Sequence, residues 1–131
     1  DVDNNVKFNS TLFRPILPEE SQVNPGRYGA ELAYWLCNEL AKIGVFTSYP
    51  NYEDWGWFIE YTTADGEEFW LCCGNIEGSQ DEWLCFLKPL GRKLFGRNKA
   101  SIDKAKPVVE GVKQILENTA RIKDIEWWHE E

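Results

Sequence analysis

"WGWFIEYTTADGEEFWLCCG", residues 55–74, decides the fold. Two runs rich in aromatic and β-branched residues, 55–63 and 67–74, flank Ala64-Asp65-Gly66. Gly66 supplies the positive φ that a tight hairpin turn demands, so the stretch reads as two antiparallel strands. In the first strand, alternation puts Trp55, Trp57, Ile59 and Tyr61 on one face and Gly56, Phe58, Glu60 and Thr62 on the other. The first set reads as the core face. In the second strand, Phe69, Leu71 and Cys73 oppose Glu68, Trp70 and Cys72, so large apolar groups lie on both sides.

The flanking sequence extends this hairpin into a meander. Upstream, "VFTSY" at 45–49 reads as a strand that leads through Pro50-Asn51 to the hairpin; downstream, a polar loop from Asn75 to Asp81 precedes "EWLCFLK" at 82–88. Connections this short join antiparallel neighbours, which makes 45–88 an antiparallel meander. Before it, residues 25–43 read as a helix. Asn24 is a good cap, Pro25 suits the first helical position and Gly44 the position after the last turn. Tyr28, Leu32, Trp35, Leu36, Leu40 and Ile43 recur at spacings of three and four, one apolar stripe for a sheet to bury. After the meander, a basic, glycine-containing connection (89–101) leads to a second helix over 103–119, with Asp103 as its cap and Pro107 in the first turn. Residues 122–128 read as a last strand, Ile125 and Trp127 on one face and Glu126 and Trp128 on the other, and 1–24 as an extended lead-in with weak strand character at "VKFNSTLF". The expected fold is one α+β domain spanning 1–131, a two-layer sandwich in which two helices pack on one face of a mainly antiparallel sheet of four to six strands.

Two helices cover one face of such a sheet. The second face would then present Phe58, Trp70, Leu84 and Phe86. A patch of that size needs a cover or a purpose. Either the N-terminal segment (Phe8, Leu12, Phe13) or the 89–98 loop (Leu90, Leu94, Phe95) folds over it, or it is a surface for a partner or for a homodimer.

Composition narrows the function. With 43% hydrophobic and 27% charged residues the chain is globular rather than disordered. Its net charge is −8, yet residues 88–106 carry +6, leaving −14 on the remainder. An acidic body disfavours direct nucleic-acid binding and favours a basic protein partner. No apolar run has the length of a membrane span. The start shows no signal-peptide pattern, and since the sequence opens on Asp1 a leader could already have been processed away. Cys37, Cys72, Cys73 and Cys85 show no metal-ligand spacing and read as buried free thiols of a cytoplasmic protein, with Cys72 and Cys73 on opposite faces of their strand.

Catalytic chemistry finds little support. The single histidine, His129, lies near the terminus and makes a poor general base. No nucleophile elbow, phosphate loop, metalloprotease helix, calcium loop or dinucleotide fingerprint occurs. The carboxylates Glu53, Asp54, Glu60, Glu67 and Glu68 fit no recognised ligand loop, and Asp54 more plausibly accepts backbone N–H groups where the chain turns into its strand. The expectation is therefore a non-enzyme without metal or cofactor.

A helix ending in glycine, a short strand and then "EDWGW" at 53–57 resembles a group of small, poorly characterised bacterial proteins, some of them similar to the immunity proteins that neutralise toxins. The likeness covers residues 27–62 and implies an inhibitory or binding role. It assigns no catalytic residue. Read together, these features anticipate a small acidic module that neutralises a basic partner such as a toxin, nuclease or other nucleic-acid-binding protein. Its contact residues would be Tyr52, Glu53, Asp54, Phe58, Glu60, Glu67, Glu68 and Trp70. A small-ligand-binding domain, with an aromatic cleft between helices and sheet, is the alternative.

Overall fold

A computed structural model describes residues 2–14, 28–91 and 101–130. Along the chain lie β1 (Asn5–Asn9), α1 (Ala30–Lys42), β2 (Asn51–Glu53), β3 (Gly56–Thr62), β4 (Glu68–Asn75), β5 (Glu82–Gly91), α2 (Lys106–Glu117) and β6 (Lys123–Trp128). The strands form one six-stranded sheet in the order β2-β3-β4-β5-β1-β6, with every neighbouring pair antiparallel. This is the α+β sandwich that the alternation of 55–74 implies, carried to six strands.

Both helices pack on the same face. Leu32, Leu36 and Leu40 of α1 and Val108, Val112 and Leu116 of α2 share one buried cluster with Ile59, Phe69, Leu71, Cys73, Trp83, Cys85 and Leu87 of the meander and with Val6 and Phe8 of β1. Trp83 is fully enclosed there, and its indole N–H donates to the Ser10 carbonyl (3.0 Å), so its one polar atom is not stranded.

Residues 5–9 are more than a lead-in: β1 is an interior strand, paired with β5 on one side and β6 on the other. The end of the chain is strapped to it by a reciprocal amide pair, Asn4 Nδ2 donating to the Glu130 carbonyl (2.7 Å) and Glu130 N–H to Asn4 Oδ1 (2.8 Å). Residues 45–49 do not form the expected strand. Pro50 offers no N–H, so regular pairing with β3 covers only Asn51–Glu53 and resumes at one point, where Ser48 N–H donates to the Glu60 carbonyl (2.9 Å). The second helix is opened by a 3₁₀ turn, Ile102–Ala105, capped by Ser101 rather than Asp103: the Ser101 hydroxyl accepts from the Asp103 N–H (3.3 Å). Pro107 sits in the first turn of α2, where its missing donor costs nothing. Asn24, Pro25, Leu94 and Phe95 lie outside the described residues.

Neither sheet edge is a long open strand. β2 has three residues, and β6 carries an irregularity in its register against β1 where Asp124 adopts a left-handed φ of 54°.

Candidate functional site

The "EDWGW" segment contains a turn, and that turn changes which tryptophan faces where. Glu53 pairs with Gly56, so Asp54 and Trp55 form the connection between β2 and β3 rather than the first residues of a strand. Gly56 has φ +155°, and a Cβ there would stand 2.7 Å from the Cys73 carbonyl oxygen. The alternation that begins at Gly56 therefore does not extend back through it. Trp57 lies on the helix face, packed against the core. Trp55 folds over the opposite face, its ring 6.3 Å from Phe58 and 5.8 Å from Phe86. The expectation that the two share the buried helix face is corrected accordingly.

That second face is better sealed than alternation alone suggests. Phe58 stacks on Trp70 at 3.9 Å with 16° between planes, a diagonal pair across β3 and β4, and Lys88 Nζ stands 5.6 Å from the Trp70 ring. With Trp55 laid over it, Phe58 is only 5% exposed, and Cys72 beside it is buried; Trp70, Leu84 and Phe86 are half-buried. Phe58 is thus not the exposed contact expected of it. The anticipated N-terminal cover is not the cause, since Phe8 and Phe13 belong to the core on the helix face and Leu12 points outward. Beyond Phe86 a shallow recess of about 500 Å³ opens between Asn5, Lys88 and Glu130. Between α2 and the sheet, where an aromatic ligand cleft was the alternative expectation, packing leaves about 10 Å³.

The other expected contacts separate into two groups. Tyr52, Glu53, Asp54 and Glu60 lie along the β2–β3 edge, Tyr52 on the helix face beside Trp57 and Glu60 on the face of Phe58. Asp54 is exposed in its turn and makes no side-chain hydrogen bond among the described residues, so it does not cap the strand start. Glu67 and Glu68 sit at the far end, next to the 64–66 turn. Glu67 is 7% exposed, with Lys104 Nζ 3.8 Å from its carboxylate, which makes it part of the scaffold. Lys104 also reaches Asp65 at 2.8 Å and holds that carboxyl down at about 2, with a further hydrogen bond from the Thr63 hydroxyl. Arg14, bidentate on Asp81, lowers that carboxyl in the same way.

Two residues absent from the expected set dominate the edge. Phe46 is 72% exposed and Tyr49 78%, with Tyr52 at 53%. Their signal in the sequence was available: aromatics at 46, 49 and 52 cannot share one strand face, and Pro50 among them argues against a continuous helix. The segment holding them is fixed. Val45 N–H donates to the Leu40 carbonyl (2.9 Å), the Cys37 thiol donates to the Ser48 carbonyl (3.4 Å), Ser48 Oγ accepts the Glu60 N–H (2.9 Å), and the Tyr52 ring lies 5.6 Å from Trp57. Tyr34, exposed on α1, enlarges the aromatic surface.

All four cysteines are free and buried. Burial pushes the Cys72 thiol up to about 12, and pairing with Cys85 (Sγ–Sγ 3.8 Å), together with burial, raises Cys73. His129 is exposed, and its Nδ1 donates to the Val2 carbonyl (2.8 Å). Among the described residues no three histidine, cysteine or acidic side chains converge as metal ligands, and no helix is long and apolar enough to cross a membrane. Neither family models, curated proteins nor solved structures give a match to this chain.

Proposed function

We propose that this chain is a small protein-binding module that inhibits or neutralises a basic partner protein by covering it. The observation that carries the reading is the exposure of Phe46, Tyr49 and Tyr52 within one seven-residue span of fixed backbone. Each such ring left in water forgoes about 1.5–3 kcal/mol of burial, and anchors of this type dominate protein interfaces. Because the segment is already tied to α1 and β3, little further ordering is needed when a partner docks.

Charge supports the same reading. The acids Glu53, Asp54 and Glu60 lie along this edge, and the sequence between Lys42 and Lys88 holds no lysine or arginine. Such a surface speeds encounter with a basic partner and repels acidic ones. A small-ligand function in an aromatic cleft is less well supported, because the cavity between α2 and the sheet holds about 10 Å³ and is lined mainly by aliphatic side chains.

The test is affinity capture from the source cells with the wild-type chain and with a Phe46→Ser/Tyr49→Ser/Tyr52→Ser variant, both shown to be folded by their thermal melts. Wild type should retain one stoichiometric protein of positive net charge, released by salt, and the variant should lose it. Equal retention by both, or a retained protein that is acidic, contradicts the proposal.

A further inference from the structure

Resting on that reading, we infer that the Phe46–Asp54 edge recognises arginine side chains of its partner, stacked on its aromatic rings, rather than adding a partner strand or taking lysines as bare charges.

Strand addition is disfavoured by the edge itself. In β2 the pairs Asn51–Phe58 and Glu53–Gly56 bracket Tyr52, and the Tyr52 N–H is taken by the Asn51 side chain, Oδ1 accepting at 2.8 Å. Pro50, one residue before β2, has no N–H. An incoming strand finds its donor on this edge already occupied, so affinity must come from side chains.

The side chains that remain fit one cation better than the other. Phe46, Tyr49 and Tyr52 offer ring faces to solvent, while Asp54 and Glu60 are exposed carboxylates with no ion pair among the described residues. A guanidinium is planar and weakly hydrated, so it can lie on a ring and still direct its N–H fork at a carboxylate. An ammonium is compact and strongly hydrated, and gains mainly from the charge. Phosphate and other anionic partners are opposed by the exposed carboxylates of this edge, Asp54 and Glu60. Carboxylates alone already favour the guanidinium fork over an ammonium; the exposed rings add stacking and widen the preference.

The experiment is a fluorescence-anisotropy titration of the full chain with two labelled peptides of equal length and charge, one alternating arginine with glycine and one alternating lysine with glycine. Each exposed stack is worth a few-fold in affinity, so the arginine peptide should bind about ten-fold tighter or more. A Phe46→Leu/Tyr49→Leu variant keeps apolar bulk but loses two of the three rings; it should narrow that preference several-fold and leave the lysine peptide's affinity nearly unchanged. Asp54→Asn with Glu60→Gln should weaken both peptides. Equal affinities for the two peptides overturn the inference while leaving the acidic-module reading standing. Absence of saturable binding by either peptide overturns it too, and the capture experiment then judges the broader proposal on its own.

Discussion

Gly56 determines what the tryptophans on either side of it do. A Cβ at Gly56 would meet the Cys73 carbonyl oxygen at 2.7 Å, and a Cβ at Gly29, just before α1, would meet the same oxygen at 2.8 Å. Both glycines also have φ between +140° and +160°, where other residues are strained. The two therefore let α1 and the β2–β3 turn close on one stretch of β4 backbone. Gly56→Ala should cost about 2–3 kcal/mol of stability, measured by denaturant unfolding, and should blue- or red-shift the fluorescence of Trp55 as its cover over Phe58 is displaced. A variant as stable as wild type would contradict this role. Strand parity read from sequence could not have placed Trp55, because parity assumes unbroken extended backbone and Gly56 breaks it. The separation of Cys72 from Cys73 was legible, because β4 pairs regularly at both, Cys72 with Phe58 and Phe86 and Cys73 with Trp57 and Cys85.

At the scale of elements, local signals carried well and distant ones did not. The hairpin at 64–66, the Leu32, Leu36 and Leu40 stripe of α1 and the faces of β6 follow from periodicity alone, and the structure has them. But α1 begins at Ala30 after Gly29, so Tyr28 precedes the helix, and Ile43 at its end is exposed. β1 looked like a lead-in because the strands that make it interior, β5 and β6, lie roughly eighty and one hundred and twenty residues away in sequence. Nothing within a short window reports such pairing. The loss of a strand at 45–49 is the opposite case, a local signal overridden by Pro50. The same irregularity produced the candidate site: residues released from strand alternation are free to turn Phe46 and Tyr49 outward. Across the meander, the Phe58–Trp70 stack ties β3 to β4 on the open face. A double-mutant cycle of Phe58→Ala and Trp70→Ala should show a favourable coupling of about 1 kcal/mol. Additive losses would mean the rings are neighbours without mutual stabilisation.

For the molecule as a whole, charge divides into pairs that hold the scaffold and acids that face outward. Asp65, held at about 2 by Lys104, belongs to the first kind. Its folded-state pKa lies below its ordinary value, so the stability it contributes is complete above about pH 4 and is lost as pH falls toward 2. Asp65→Asn should therefore be less stable than wild type at neutral pH, with the difference shrinking through that acid window in pH-dependent unfolding curves. A difference that stays constant with pH would assign the effect to packing instead. The outward acids Asp54 and Glu60 should leave stability nearly unchanged when neutralised and act on association.

Calorimetric titration of the captured partner into wild type and into the Phe46→Ser/Tyr49→Ser/Tyr52→Ser variant, at low and at physiological salt, tests the central claim most directly. The account predicts one-to-one binding by wild type that weakens as salt rises, and a loss of at least about a hundred-fold in the variant, which stays folded with only the small loss of thermal stability that removing the Tyr52–Trp57 contact brings. Equal affinity of the two proteins for the partner would place the interface elsewhere and contradict it.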